Sequence, residues 1–215
     1  RVIAAAFGHS VRPSEVVFTG GGTESNHLAL HGIAQGVRQK EPSRSRLIVS
    51  AIEHDSILDN LGRLRDAGFK VDLVSPCREG YIEPEALDAL MGPDVALVSI
   101  MFANNETGVL QPIRSLARIA HSYGARFHTD AVQGWLHAPL DVQDLDVDAL
   151  SVAGHKIGGP VGIGALYLKS RTPLRPVIQG GGQEFGLRPG TQDLRAIVGF
   201  AAAAAALSST LAEDA

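Results

Sequence analysis

Short apolar runs rich in β-branched residues alternate along the chain with longer stretches whose apolar positions recur at helical spacing. The runs at Val16–Thr19, Leu47–Ser50, Lys70–Ser75, Val95–Ala103, Arg126–Asp130, Ala149–Ala153 and Gly164–Lys169 predict strands. The periodic stretches at Thr23–Arg38, Ser56–Ala67, Pro84–Leu90, Ile113–Tyr123 and Gln192–Leu211 predict helices. Strings such as Leu47-Ile48-Val49-Ser50 are apolar at consecutive positions, so both faces of those strands must be covered. The alternation therefore specifies an α/β fold, a mainly parallel seven-stranded sheet with helices on both faces. Only the glycine-rich His155–Gly162 loop separates the last two strands, which predicts one hairpin-like antiparallel member. No repeat or low-complexity linker interrupts the pattern, and residues 1–215 read as one domain. Arg1–Gly8 reads as the end of an Ala-rich helix stopped by glycine, and Glu213-Asp214-Ala215 carries no stop signal, so the expectation is a domain cut at both ends.

Composition narrows the function classes. A chain of 215 residues with 45% hydrophobic and 20% charged positions has the profile of a globular protein. Its 19 Lys and Arg are scattered among 23 Asp and Glu, giving a net charge of −4 and no basic stripe, so no nucleic-acid partner is expected. The Ala201–Ala206 run is too short to span a bilayer, so no membrane is expected either. The single cysteine, Cys77, excludes an internal disulfide framework and a Cys-rich zinc ribbon, and fits a reducing, cytoplasmic compartment. His9, His27, His31, His121 and His137 lack zinc-ligand spacing and read as surface or packing residues, so no metal is expected.

Three motifs carry candidate chemistry. Phe18-Thr19-Gly20-Gly21-Gly22-Thr23-Glu24-Ser25-Asn26 lies where a strand ends and a helix begins, so its backbone N–H groups and the hydroxyl of Thr23 suit a phosphate. It is neither a Walker A loop nor GxGxxG, and a plain glycine turn capped by Thr23 is the rival reading. His128-Thr129-Asp130-Ala131-Val132-Gln133 sets Asp130 at the carboxyl end of a buried strand, where open α/β sheets bind ligands. Such a carboxylate needs a cation or strong donor; the alternative is a turn or N-cap aspartate. Gln133, three residues on, faces the same pocket if a helical turn begins there. Ser151-Val152-Ala153-Gly154-His155-Lys156 and the glycines after it put a lysine beside space for a flat molecule, with partial burial favouring the neutral amine. A solvated surface lysine is the bland alternative. Together the three describe pyridoxal 5′-phosphate, whose aldehyde, ring nitrogen and phosphate need a lysine, a carboxylate and a helix terminus.

The strings FTGGGTESN, AIEHDSILD, MFANNETGVLQPI, HTDAVQGW and GHKIGGPVGIGALYL, in this order, resemble the cysteine desulfurases of the NifS/IscS type within the class V aminotransferases. The resemblance implies the large domain of a fold-type I pyridoxal-phosphate transferase that converts L-cysteine to L-alanine. Sulfur would pass as an enzyme persulfide to a sulfur acceptor or Fe-S scaffold protein. By the same resemblance Lys156 holds the cofactor covalently and Asp130 pairs with the ring nitrogen. His54 stacks on the ring and relays protons, Gln133 bonds the ring phenolate oxygen, and Asn105 sits near that oxygen and the substrate carboxylate. Gly22, Thr23 and His155 serve the phosphate. His54 could instead be a satisfied strand-end histidine, and Asn104-Asn105 a turn bonding its own backbone. The loop Gly180–Thr191 resembles one that crosses to a neighbouring subunit, with Thr191 on the partner's cofactor phosphate, which implies a homodimer.

The pattern also departs from the family. Ala153 stands where a phosphate-binding hydroxyl is usual, a loss of about 1 kcal/mol, and Phe185 and Pro189 replace the usual Arg and Ser. The sulfur-accepting cysteine and the arginine for the substrate carboxylate are expected downstream of this segment, in a small domain, and Cys77 reads as an incidental thiol. The alternatives are another class V enzyme, such as a selenocysteine lyase or an aminotransferase-like protein, and a catalytically incomplete scaffold of the same fold.

Overall fold

The computed structural model describes residues 1–213, with side chains to Ser209. Strands β1 (Val16–Thr19), β2 (Arg46–Ser50), β3 (Lys70–Val74), β4 (Val95–Ser99), β5 (Arg126–Asp130), β6 (Ala149–Ala153) and β7 (Gly164–Leu168) form one sheet. Their order is β1-β7-β6-β5-β4-β2-β3. Only β7 runs antiparallel to its neighbours, because the short loop after β6 cannot carry a crossover. The hairpin-like member expected from the sequence is therefore present.

The helices are α1 (Val2–Phe7), α2 (Gly22–His27), α3 (Ala34–Lys40), α4 (Asp55–Leu58), α5 (Leu61–Asp66), α6 (Pro84–Asp88), α7 (Ile113–Ser122), α8 (Val142–Leu145) and α9 (Leu194–Glu213). Successive strand residues point to opposite faces. Leu47 and Val49 enter one core with Leu28, Ile33 and Leu64, while Ile48 enters the other with Leu116 and Phe127. Helix α7 shows how the pattern works: Ile113, Leu116, Ala117 and Ala120 make one buried stripe at helical spacing. Helix α9 docks beside α1 through Phe200, whose ring lies edge-on to Trp135 at 5.6 Å, and Trp135 in turn packs on Phe7 at 5.2 Å.

Three predicted elements differ from those observed. The helix expected over Ser56–Ala67 breaks into α4 and α5 because the Asn60 side chain donates to the Ser56 carbonyl at 2.6 Å, competing with the backbone for the helical acceptor. The helix expected over Thr23–Arg38 carries a π-helical turn, Leu28–Ile33, between α2 and α3. Here Arg175 N–H donates to the Gly32 carbonyl at 2.9 Å, an outside strand of chain inserting into the ladder. Only glycine permits that approach, since a Cβ at position 32 would lie 2.8 Å from the Arg175 carbonyl. The strand expected over Val95–Ala103 ends at Ser99, and the chain then crosses the carboxyl edge of β5, with Phe102 N–H donating to the Asp130 carbonyl at 2.8 Å.

Candidate active site

The carboxyl ends of β5 and β6, the segment after β4 and the start of α2 converge on a cavity of about 240 Å³. Gly22, Thr23, His54, Asn105, Asp130, Gln133, His155 and Lys156 all line it. Eight of the nine residues singled out from the sequence thus come together; Thr191, on an exposed loop, does not line the cavity within one chain.

Asp130 forms the floor. It is 6% exposed, and burial pushes its carboxyl above the ordinary range. Oδ1 accepts from Val132 N–H at 2.9 Å, the turn arrangement considered from sequence, while Oδ2 accepts from Asn26 Nδ2 at 2.6 Å. No ion pair to Asp130 occurs among the described residues, so a buried acid faces the cavity with neutral donors only. Asn26 also donates to Ser56 Oγ at 2.9 Å, and Ser56 Oγ lies 3.0 Å from His54 Nδ1. A hydrogen-bonded string thereby runs from the floor to the rim. Because Ser56 N–H also donates to His54 Nδ1 at 3.0 Å, the neutral imidazole carries its proton on Nε2. His54 caps α4 through its side chain and also lines the cavity.

The glycine loop supplies fewer free donors than its sequence suggests. Gly20 N–H is taken by Glu24 Oε2 at 2.6 Å, and Glu24 is held by Arg188 at 2.8 Å. That leaves Gly22, Thr23 and the Thr23 hydroxyl on the cavity wall. Glycine at 22 is required for closure, since a Cβ there would lie 2.7 Å from Val132 Cγ2. Lys156 sits on the 3-10 turn Gly154–Ile157 that follows β6. The sequence reading expected Lys156 to be partly buried; the residue is instead exposed at the rim. The asparagine pair divides its roles. Asn104 Oδ1 accepts from the N–H groups of Glu106 and Thr107 in a turn, and Asn105 lines the cavity.

Sequence reasoning missed several groups. Asn26 and Ser56 lay inside quoted motifs, and only the fold brings them together. Glu53 is buried, with Oε1 accepting from Ser50 Oγ at 2.5 Å and Met101 N–H at 2.7 Å and Oε2 unpartnered. Burial, with the neighbouring Asp130 charge adding, raises its carboxyl to about 8. One layer below Asp130, His128 bridges Ser99 Oγ and Ser151 Oγ, each at 2.9 Å, and burial holds it neutral with a pKa of about 3. Of the histidines expected at the surface or in packing, His31 is buried and His121 is bracketed by Asp146 and Asp148.

These groups fit pyridoxal 5′-phosphate. A buried acid with no ion-pair partner suits a protonated ring nitrogen, the α2 start suits an oxyanion, and the lysine amine completes the set. The chain matches the family described as Aminotransferase class-V over residues 3–215. A cysteine desulfurase IscS from Dictyoglomus turgidum is 41% identical over 92% of this chain and 49% of its own length. An IscS-like cysteine desulfurase from Mycobacterium tuberculosis is 44% identical over 90% of this chain and 50% of its own. A solved NifS-like protein superimposes with a TM-score of 0.92 at 38% identity, over 99% of this chain and 57% of that one. A structure described as SspA in complex with cysteine superimposes with a TM-score of 0.88 at 40% identity, over 95% of this chain and 58% of that one. The chain spans about half the length of the curated relatives it matches. With its motifs, sheet and cavity in agreement, it belongs to the class V aminotransferase family, among relatives named cysteine desulfurases.

Proposed function

We propose that this chain is the cofactor-binding half of a pyridoxal-phosphate cysteine desulfurase, acting on L-cysteine to release L-alanine and pass sulfur on for Fe-S or thio-cofactor assembly. The observation that carries the reading is the shared cavity of Lys156 and Asp130, the latter buried and with no ion-pair partner among the described residues. Bound there, the cofactor supplies an electron-withdrawing heterocycle that stabilises negative charge at the substrate Cα. The chain's own residues do the rest. Asp130 would keep the ring nitrogen protonated, and Asn26 and Val132 N–H hold that carboxylate in line. The Lys156 amine or His54 Nε2 would move the proton at the substrate Cα, and Asn105 would orient the substrate carboxylate. Gln133 would bond the ring phenolate oxygen, and Gly22, Thr23 and His155 would hold the phosphate, with Ala153 leaving one side of it without a hydroxyl.

Cys77 does not suit the sulfur-accepting thiolate. It follows β3, four strands across the sheet from β6, a separation of roughly 19 Å. Thr191 lies outside the cavity of its own chain, which supports its assignment to a partner subunit's phosphate in a homodimer. The test is to supply the whole protein with L-cysteine and measure alanine and protein-bound persulfide. Equal amounts of both are expected. Alanine with free sulfide and no persulfide would favour a lyase, and neither product would favour a scaffold.

A further inference from the structure

A second cleft, of about 350 Å³, opens beside the C-terminal end of α2. His27, His31 and Gln35 from the helix meet Arg63 of α5 and Arg175 and Gln179 of the segment leading to the glycine-rich loop, and no carboxylate lines it. Neither guanidinium makes an ion pair among the described residues. The two imidazole rings stack at 4.4 Å. His31 is 6% exposed, yet its Nε2 is buried without a partner, a cost that a ligand oxygen would remove. Burial, then the nearby positive charges of His27 and Arg63, hold His31 near a pKa of about 4, so it is a neutral donor or acceptor. The Asn60 amide is oriented by its bond to the Ser56 carbonyl, which turns Oδ1 toward His27 Nδ1 at 2.6 Å. His27 Nδ1 therefore carries a hydrogen, and its Nε2 becomes a donor only when the ring is protonated.

We propose that this cleft binds the dianionic head of a small phosphate monoester, gripped by Arg63, Arg175 and the His27–His31 pair. Unpaired guanidinium groups and a buried orphan nitrogen converge there, and guanidinium forks match phosphate oxygens. The volume exceeds what a bare tetrahedral anion needs and falls at the lower end of small-ligand clefts, which favours an ester over the inorganic ion. The charged groups around His27 are His31 on its own helix, Arg63 on α5 and Arg175 on the segment packed against α2, opposed by the Glu24 carboxylate one turn earlier on α2.

The experiment is calorimetric titration of the whole protein with its cofactor bound, so that the glycine loop is already filled. The probes are sulfate and glycerol 3-phosphate. Saturable binding of both is expected, tighter for the ester. Arg63→Ser and Arg175→Ser should each weaken it by about tenfold, and His27→Gln should weaken it as well. The cofactor's absorbance should be the same in every variant, which separates this site from the lysine cavity. Non-saturating heats, unchanged affinity in both arginine variants, or displacement of the cofactor by sulfate would overturn the proposal. Sulfate binding as tightly as the ester would overturn its ester assignment.

Discussion

Removing the Asn26 amide tests how the floor of the cavity is held. Asn26→Ala deletes a donor at 2.6 Å from Asp130 Oδ2 and another at 2.9 Å from Ser56 Oγ, at a site where Asn26 is 1% exposed. A hydrogen bond to a charged group is worth about 1.5–3 kcal/mol and one between neutral groups about 1 kcal/mol, so the loss should total about 2–4 kcal/mol while Asp130 is ionised. Without the amide the Asp130 carboxyl, already raised by burial, moves higher still. A raised acid binds a proton in the folded state that the unfolded chain has released, so the penalty grows as pH rises. Urea denaturation at about pH 5 and pH 8 reads both effects. The same substitution in an Asp130→Asn background isolates the pair, because the asparagine no longer needs a charge-stabilising donor. A coupling of at least about 1 kcal/mol is expected. If Asn26→Ala costs the same in both backgrounds and at both pH values, the two side chains do not act as a unit.

Other substitutions probe separate parts of the account. Between the ordinary glutamate value of 4.5 and about 8, folded Glu53 holds a proton that the unfolded chain lacks, so this residue lowers stability as pH rises. Glu53→Gln should remove a slope of up to about 1.4 kcal/mol per pH unit; parallel stability profiles for the two proteins would contradict this. At the amino end of β6, Asp148 raises the His121 pKa through a 2.8 Å bond. Protonated His121 therefore stabilises fully below its unfolded value, and that contribution is lost as pH rises through the folded one. The advantage of the native protein over His121→Gln should shrink by about 1–2 kcal/mol between mildly acidic and alkaline pH, and a constant difference in denaturant unfolding would count against it. Phe200→Ala should cost about 3–5 kcal/mol and alter Trp135 fluorescence, since it empties the fully buried α9 contact; a loss under about 1 kcal/mol would mean that α9 is not docked there.

What could be read in the sequence follows from the range of the forces involved. Strand runs and helical stripes are local, so each of the seven strands overlaps the apolar run that predicted it, with β4 ending four residues early, and the short loop after Lys156 disclosed the antiparallel β7. Helix breaks were not legible, because the Asn60–Ser56 bond and the Arg175 insertion at Gly32 are side-chain and tertiary competitors that periodicity does not record. Residues announced by a motif at a strand end do line the cavity. Those whose role depends on packing were not: Asn26 reaches Asp130 across 104 positions of sequence, and Glu53 reaches Met101 across 48. Polar residues of this kind look ordinary until burial makes their partners matter. The occupied Gly20 N–H is the reverse case, a donor the glycine motif offers and Glu24 takes.

On the proposed function, Lys156 holds pyridoxal 5′-phosphate against Asp130. Reduction of the cofactor-loaded protein with borohydride, followed by peptide mass spectrometry, tests it most directly. The account predicts the phosphopyridoxyl mass on the peptide that contains Lys156, and a weakened cofactor with a shifted absorbance in Asp130→Asn. The modification on another lysine, or Asp130→Asn binding the cofactor with unchanged affinity and spectrum, would contradict it.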